Sequence, residues 1–161
     1  RSFFTKDELS FPGVQERDKI FDSCDSQINS LEFPIFGFDN HMGCITGTRR
    51  NAKIAGIDKQ LTLSRTEVSW LDTKFERGTI DLIVTQPPEH SKTKSESSIT
   101  KLYNEFFYQA EFILSKKGKV VTITKKNQLL EKRASKYGFK RKEEVEVYSG
   151  KQKLLFTKFI L

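Results

Sequence analysis

The segment Thr85-Gln86-Pro87-Pro88 is where residue type and order point most directly to chemistry. It follows the apolar run Ile80-Asp81-Leu82-Ile83-Val84, and two consecutive prolines cannot continue a strand, because each lacks an N–H and holds φ near one value. The corner therefore presents carbonyls only. An amide oxygen from Gln86 and a proline carbonyl can together accept both hydrogens of an aromatic amino group. That draws the nitrogen lone pair out of conjugation and readies it to attack a methyl sulfonium. The plainer reading is an ordinary turn, in which prolines are common, and the residues alone leave both open.

A second candidate is Asp39, which with Asn40 closes the short apolar run Ile35-Phe36-Gly37-Phe38. A carboxylate at the end of such a strand can accept both hydroxyls of a ribose. It can equally cap the helix that follows. His41 and His90 are possible bases or nucleotide contacts, although a lone loop histidine is more often neither. Trp70 and Phe75 read as packing groups. Cys24 and Cys44 have no metal-ligand spacing and read as buried thiols.

Hydrophobic periodicity supplies the elements that must position these residues. It predicts a helix over 15–31, a strand over 35–39, a helix closing at Ala55-Gly56, and a short strand over 61–63. The run 80–85 reads as a strand buried on both faces. An aperiodic loop covers 89–100, and a helix covers 100–116 with Lys116-Lys117-Gly118 as its basic last turn and stop. A strand over 120–124, a helix over 127–137 and a hairpin of 141–148 with 153–160 around Ser149-Gly150-Lys151 complete the chain. Strands alternating with helices make an α/β, Rossmann-like fold, mostly parallel with a C-terminal antiparallel hairpin. In such sheets ligands bind beyond the carboxyl ends of the strands. Those ends are Asp39, the loop after Leu63, and Gln86.

The chain of 161 residues carries 28 Lys and Arg against 21 Asp and Glu, a net charge of +7. Most of the excess lies between positions 116 and 158, where the acids are Glu131, Glu143, Glu144 and Glu146 alone. A polyanionic partner and a lysine-rich solvated surface account for it equally well. No stretch approaches the roughly 20 apolar residues of a membrane span, so no membrane role is expected. Two cysteines without a framework, and no secretory leader, point to the reducing cytoplasm.

Four segments fall in an order that resembles one family. They are Ile35-Phe36-Gly37-Phe38-Asp39, Arg49-Arg50-Asn51-Ala52-Lys53-Ile54-Ala55-Gly56, Asp81-Leu82-Ile83-Val84-Thr85-Gln86-Pro87-Pro88 and Leu102-Tyr103-Asn104-Glu105-Phe106-Phe107. Together they resemble the S-adenosylmethionine-dependent RNA methyltransferases associated with THUMP domains. The resemblance implies methylation of the exocyclic amine of a guanine, usually in tRNA, with S-adenosylmethionine as cofactor. It implies that Asp39 and Asn40 hold the cofactor ribose, that Glu67 contacts its adenine, and that Thr85 borders it. Gln86, Pro87 and Pro88 then fall on the catalytic motif, and Glu89 and His90 on the substrate side.

Two residues depart from the family pattern. Where the family usually has Asp, Asn or Ser, Gln86 keeps the amide but adds a methylene, and Glu89 replaces an aromatic that would stack on a flipped base. Two alternatives follow: an RNA-binding relative with impaired catalysis, or a methyltransferase for DNA or protein amines. The family's glycine-rich cofactor loop has no counterpart before Ile35, where Gly13 is the only glycine. The chain therefore reads as a single, N-terminally incomplete domain lacking its first strand, and residues 1–34 receive no role.

Overall fold

The computed structural model describes residues 14–27, 33–91 and 94–161. Helix α1 is Val14–Ser26, followed by strand β1, Ile35–Asp39, and helix α2, Met42–Ala55. A 3-10 turn leads into β2, Leu61–Arg65, and a second, Val68–Trp70, precedes β3, Ile80–Thr85. Then come α3, Glu96–Ile113; β4, Leu114–Thr124; α4, Gln128–Lys136; β5, Lys140–Ser149; and β6, Gln152–Ile160. The last part of the helix expected over 15–31 lies outside the described residues.

Local chemistry accounts for the boundaries. Gly56 adopts φ 72° after α2, a left-handed stop that costs glycine nothing, and the Ile57 N–H returns to the Ala52 carbonyl at 3.0 Å. Helix α3 starts earlier than periodicity suggests because the Ser95 hydroxyl accepts the Ser98 N–H at 3.2 Å, satisfying a donor the first turn leaves over. Gly150, at φ 59°, takes the first central position of the β5–β6 turn, where a two-residue hairpin of type II′ requires a positive φ.

The strands of the described residues form two sheets. In the first, β1 pairs with β2 in parallel, from Ile35 opposite Leu61 to Asp39 opposite Arg65. In the second the order is β3-β4-β6-β5, with β3 and β4 parallel and the rest antiparallel. Among the described residues, β1 and β3 each keep one edge unpaired.

Two expectations are corrected. Strand β3 is not buried on both faces: Leu82 and Val84 are 55% and 62% exposed. Ile83 packs on the core beneath α3, so side-chain alternation turns its neighbours to the uncovered face. Nor does α3 run to 116 with Gly118 as its stop. It ends at Ile113 because Leu114 turns extended (φ −73°, ψ 139°) and pairs with Ile80. Residues 115–118 then make an excursion opposite Asp81, whose carboxylate accepts the Ser115 hydroxyl at 2.7 Å.

The core lies between α3, α4 and the second sheet. Ile99, Tyr103, Phe107, Ala110 and Leu114 form one stripe of α3 and its exit, packed on Val120, Phe159, Leu130 and Phe139, at helical three- and four-residue steps. Cys24 and Cys44 are exposed rather than buried. Among the described residues no helix is long and apolar enough to cross a membrane.

The buried Gly118 offers a test. A Cβ there would lie 2.7 Å from Leu114 Cδ2 and 2.9 Å from the Ser115 carbonyl oxygen, so Gly118→Ala is expected to lower the unfolding free energy in urea by about 1–3 kcal/mol. A solvent-facing helix stop would tolerate the methyl group without a change in midpoint.

Candidate active site

The corner after β3 is held from two sides. The Tyr103 hydroxyl donates to the Pro88 carbonyl at 2.8 Å, and the Glu89 carboxylate accepts the backbone N–H of Lys125, just past the end of β4. Pro88 O thus accepts one hydrogen bond from within the fold. The acceptors this corner presents include the carbonyl of Pro87 and the side-chain amide of Gln86, which is exposed. Thr85 ends the strand half-buried and His90 is exposed beyond it. The half-buried Glu89 carboxylate is turned to the end of the neighbouring strand.

Tyr103 is buried, and that burial, with the negative charge of Glu89 second, pushes its hydroxyl up to about 12. It stays a protonated donor across the neutral range.

Asp39, Asn40 and Glu67 form a second group at the ends of β1 and β2. The Thr66 N–H donates to the Asp39 carbonyl at 3.0 Å, and Arg65 Nε donates to the Asn40 carbonyl at 3.0 Å. Asp39 is not itself the cap of α2. That position is His41, and Asp39 Oδ1 accepts the His41 backbone N–H at 2.7 Å, a turn that Asp forms readily. Glu67 lies in an open groove of about 390 Å³ lined also by Arg65, Thr66, Trp70, Thr73 and Lys74.

Trp70 does not pack as expected, being 58% exposed in this groove. Phe75 does, edge-on to Phe36 and Phe38 at 5.1 and 5.7 Å.

Helix α3 connects the two groups. The buried Gln109 donates from Nε2 to the Ser69 carbonyl at 3.2 Å and accepts the Asp72 N–H at 2.9 Å. One helix thus anchors the wall of the Glu67 groove and, through Tyr103, the proline corner. Sequence reasoning assigned no role to Tyr103, Gln109 or Lys125. A tyrosine within an apolar stripe is the one available signal, since its hydroxyl needs a partner when buried. Nothing in the sequence marks Gln109 or the backbone of Lys125.

Replacing Tyr103 by Phe is expected to cost about 1–2 kcal/mol at neutral pH, by stranding the Pro88 carbonyl. The folded hydroxyl titrates above its unfolded value, so its contribution is complete below pH 10 and is lost as pH rises towards about 12. Urea unfolding of both proteins from pH 8 to 11.5 should show the wild type losing its advantage above pH 10. A gap independent of pH would contradict this burial.

Comparison with solved structures gives a TM-score of 0.70 to SMU.472 complexed with SAH, at 19% identity over 95% of this chain and 38% of that one. TrmN from Thermus thermophilus gives 0.68 at 21% identity, covering 88% and 40%. These establish the fold. A curated tRNA (guanine(6)-N2)-methyltransferase from Methanocaldococcus jannaschii is 28% identical over 122 residues, 76% of this chain. The chain spans 32% of that relative's length. Residues 4–154 match the family described as UPF0020, RMKL-like, methyltransferase domain. With nearly its whole length in that match and its strand ends arranged as above, the chain belongs to the UPF0020 family of RMKL-like methyltransferase domains.

Proposed function

We propose that this domain transfers a methyl group from S-adenosylmethionine to the exocyclic amine of a guanine in tRNA, in the cytoplasm. The observation that carries the reading is the proline corner, held by Tyr103 and Lys125, which presents the Pro87 carbonyl and the exposed Gln86 amide as acceptors. Support for guanine comes from the 28% identical relative, named for guanine-N2 methylation in tRNA.

The residues at the ends of β1 and β2 fit the cofactor. A nucleoside offers ribose hydroxyls and an adenine amine, all donors, and Asp39 and Glu67 place two carboxylate acceptors beside one strand pair. Asp39 Oδ1 is engaged by the His41 N–H, and a carboxylate oxygen has further lone pairs for a hydroxyl. The cofactor supplies an activated methyl on a sulfonium. The chain's residues orient the amine: Pro87 and Gln86 accept its hydrogens, leaving the lone pair on nitrogen to point at the incoming carbon.

The distribution of charge favours a polyanion over a merely solvated surface. Glu131, Glu143, Glu144 and Glu146 all pair with Arg141, Lys158 or Lys153. Lys125, whose backbone holds Glu89, and Lys126 beside it are exposed, where they can meet phosphates flanking a base in the site. A second reading, an RNA-binding relative without catalysis, draws support from Glu89. Its carboxylate serves the Lys125 N–H and offers no aromatic face to stack a flipped base.

Calorimetry with S-adenosylmethionine and transfer of labelled methyl groups to tRNA separate the two. Gln86→Ala is expected to slow transfer by about a hundredfold while leaving cofactor affinity unchanged. Transfer indifferent to this change would remove Gln86 from the reaction. Lys125→Ala with Lys126→Ala should weaken tRNA binding and shallow the log–log salt dependence by roughly 1–2. An unaltered slope would place the RNA elsewhere.

A further inference from the structure

The loop joining β4 to α4, Lys125-Lys126-Asn127, is stapled at both ends. At one end the Lys125 N–H donates to the Glu89 carboxylate. At the other the Asn127 side chain, 7% exposed, donates from Nδ2 to Oε2 of Glu144 on β5. The same oxygen accepts the hydroxyl of the fully buried Thr157 at 3.3 Å and Nη1 of Arg141 at 3.4 Å. Strand register sets this meeting, because Glu144 and Thr157 are direct partners across β5 and β6. Arg141 adds a second tie from β5, its Nε lying 3.4 Å from Oε1 of Glu131 in the first turn of α4.

Asn127 is the N-cap of α4, yet its side chain makes no capping bond. Asparagine is among the best residues at that position, because its side-chain oxygen ordinarily accepts an N–H of the first turn. Here the side chain is committed to Glu144 instead. Starting a helix does not require that diversion. What the diverted amide fixes is the course of the loop, whose other end is the donor that turns Glu89 towards the end of β4. Three residues span at most about 10 Å, so freedom gained at Asn127 reaches Lys125 directly and moves both exposed lysines with it.

We infer that Glu144 is a positioning residue for the proline corner: by holding Asn127 it fixes the three-residue loop, and with it the Lys125 N–H that holds Glu89 next to Pro87 and Pro88. Its bearing on catalysis rests on the methyl transfer proposed above. The C-terminal hairpin thereby takes part in setting the direction in which the Pro87 carbonyl and the Gln86 amide face an incoming amine.

Amide exchange of the intact chain, followed residue by residue by NMR, tests the placement without recourse to activity. Glu144→Ala should speed exchange at the Lys125 N–H at least roughly tenfold, with Phe107 and Val120 still protected. Glu144→Gln keeps an acceptor oxygen for the Asn127 amide and should hold wild-type protection within about twofold. Asn127→Ser supplies a favoured cap while removing the donor to Glu144, so the helix start is secure and the Lys125 N–H is nonetheless freed. In methyl transfer to tRNA, Glu144→Ala and Asn127→Ser should each lower kcat by roughly tenfold to a hundredfold and leave KM for S-adenosylmethionine unchanged. Combined, they should lower kcat no further than either alone. Protection at Lys125 that survives both Glu144→Ala and Asn127→Ser would overturn the inference, as would equal losses from Glu144→Gln and Glu144→Ala. A wild type that transfers no methyl group would instead refute the proposed reaction, and the exchange comparison alone would then decide whether Glu144 holds the corner.

Discussion

The placement of Phe107 is the constraint on which the rest depends. Its ring is fully buried and meets Phe139 at 5.3 Å and Phe159 at 5.9 Å, and burial of that much apolar surface fixes the rotation of α3 about its own axis. Once Phe107 faces the sheet, Tyr103 one turn earlier must do so too, and its hydroxyl arrives at the Pro88 carbonyl. Gln109, a little further along, is turned to the segment before β3. Both halves of the candidate site are therefore set by one packing decision in the core, several residues from any chemistry.

Electrostatics adds little to that stability. The ion pairs of the C-terminal hairpin, such as Lys158 with Glu143 at 3.0 Å, are solvent-accessible, and pairs of this kind contribute about 0–1 kcal/mol each. Their larger effect is on the outer field of the molecule. They use up the acidic side chains of this half and leave lysines such as Lys125 and Lys126 to set the sign of the potential near the proline corner.

Features governed by neighbours in sequence were legible before the structure. Gly56 and Gly150 announce a helix stop and a turn, and the run 80–85 announces a strand, because each depends on local conformational preference. Features governed by distant partners were not. Lys116-Lys117-Gly118 has the composition of a helix end, but the pairing of Leu114 with Ile80 ends the helix first. The apolar run of β3 suggested two covered faces, yet burial depends on what lies opposite, and among the described residues only one face has a helix on it. For the site, the position of Gln86 was visible from Pro87-Pro88, whereas the role of Glu89 required knowing that Lys125 folds beside it. Its assignment to the substrate side rested on motif position alone, and the carboxylate is used within the fold.

The bond from the Lys125 N–H to Glu89 also bears on how such a site can change over generations. Exchanging Glu89 for an aromatic, as the resembled family has, would leave a backbone donor at position 125 without its acceptor. The two positions are thus coupled as an inherited pair, although the donor is main chain and leaves no trace in the identity of the residue. A lineage could pass between the two forms at low cost by first acquiring proline at 125, which has no N–H to satisfy. The motif residue and a position 36 places along the chain are in that sense one character.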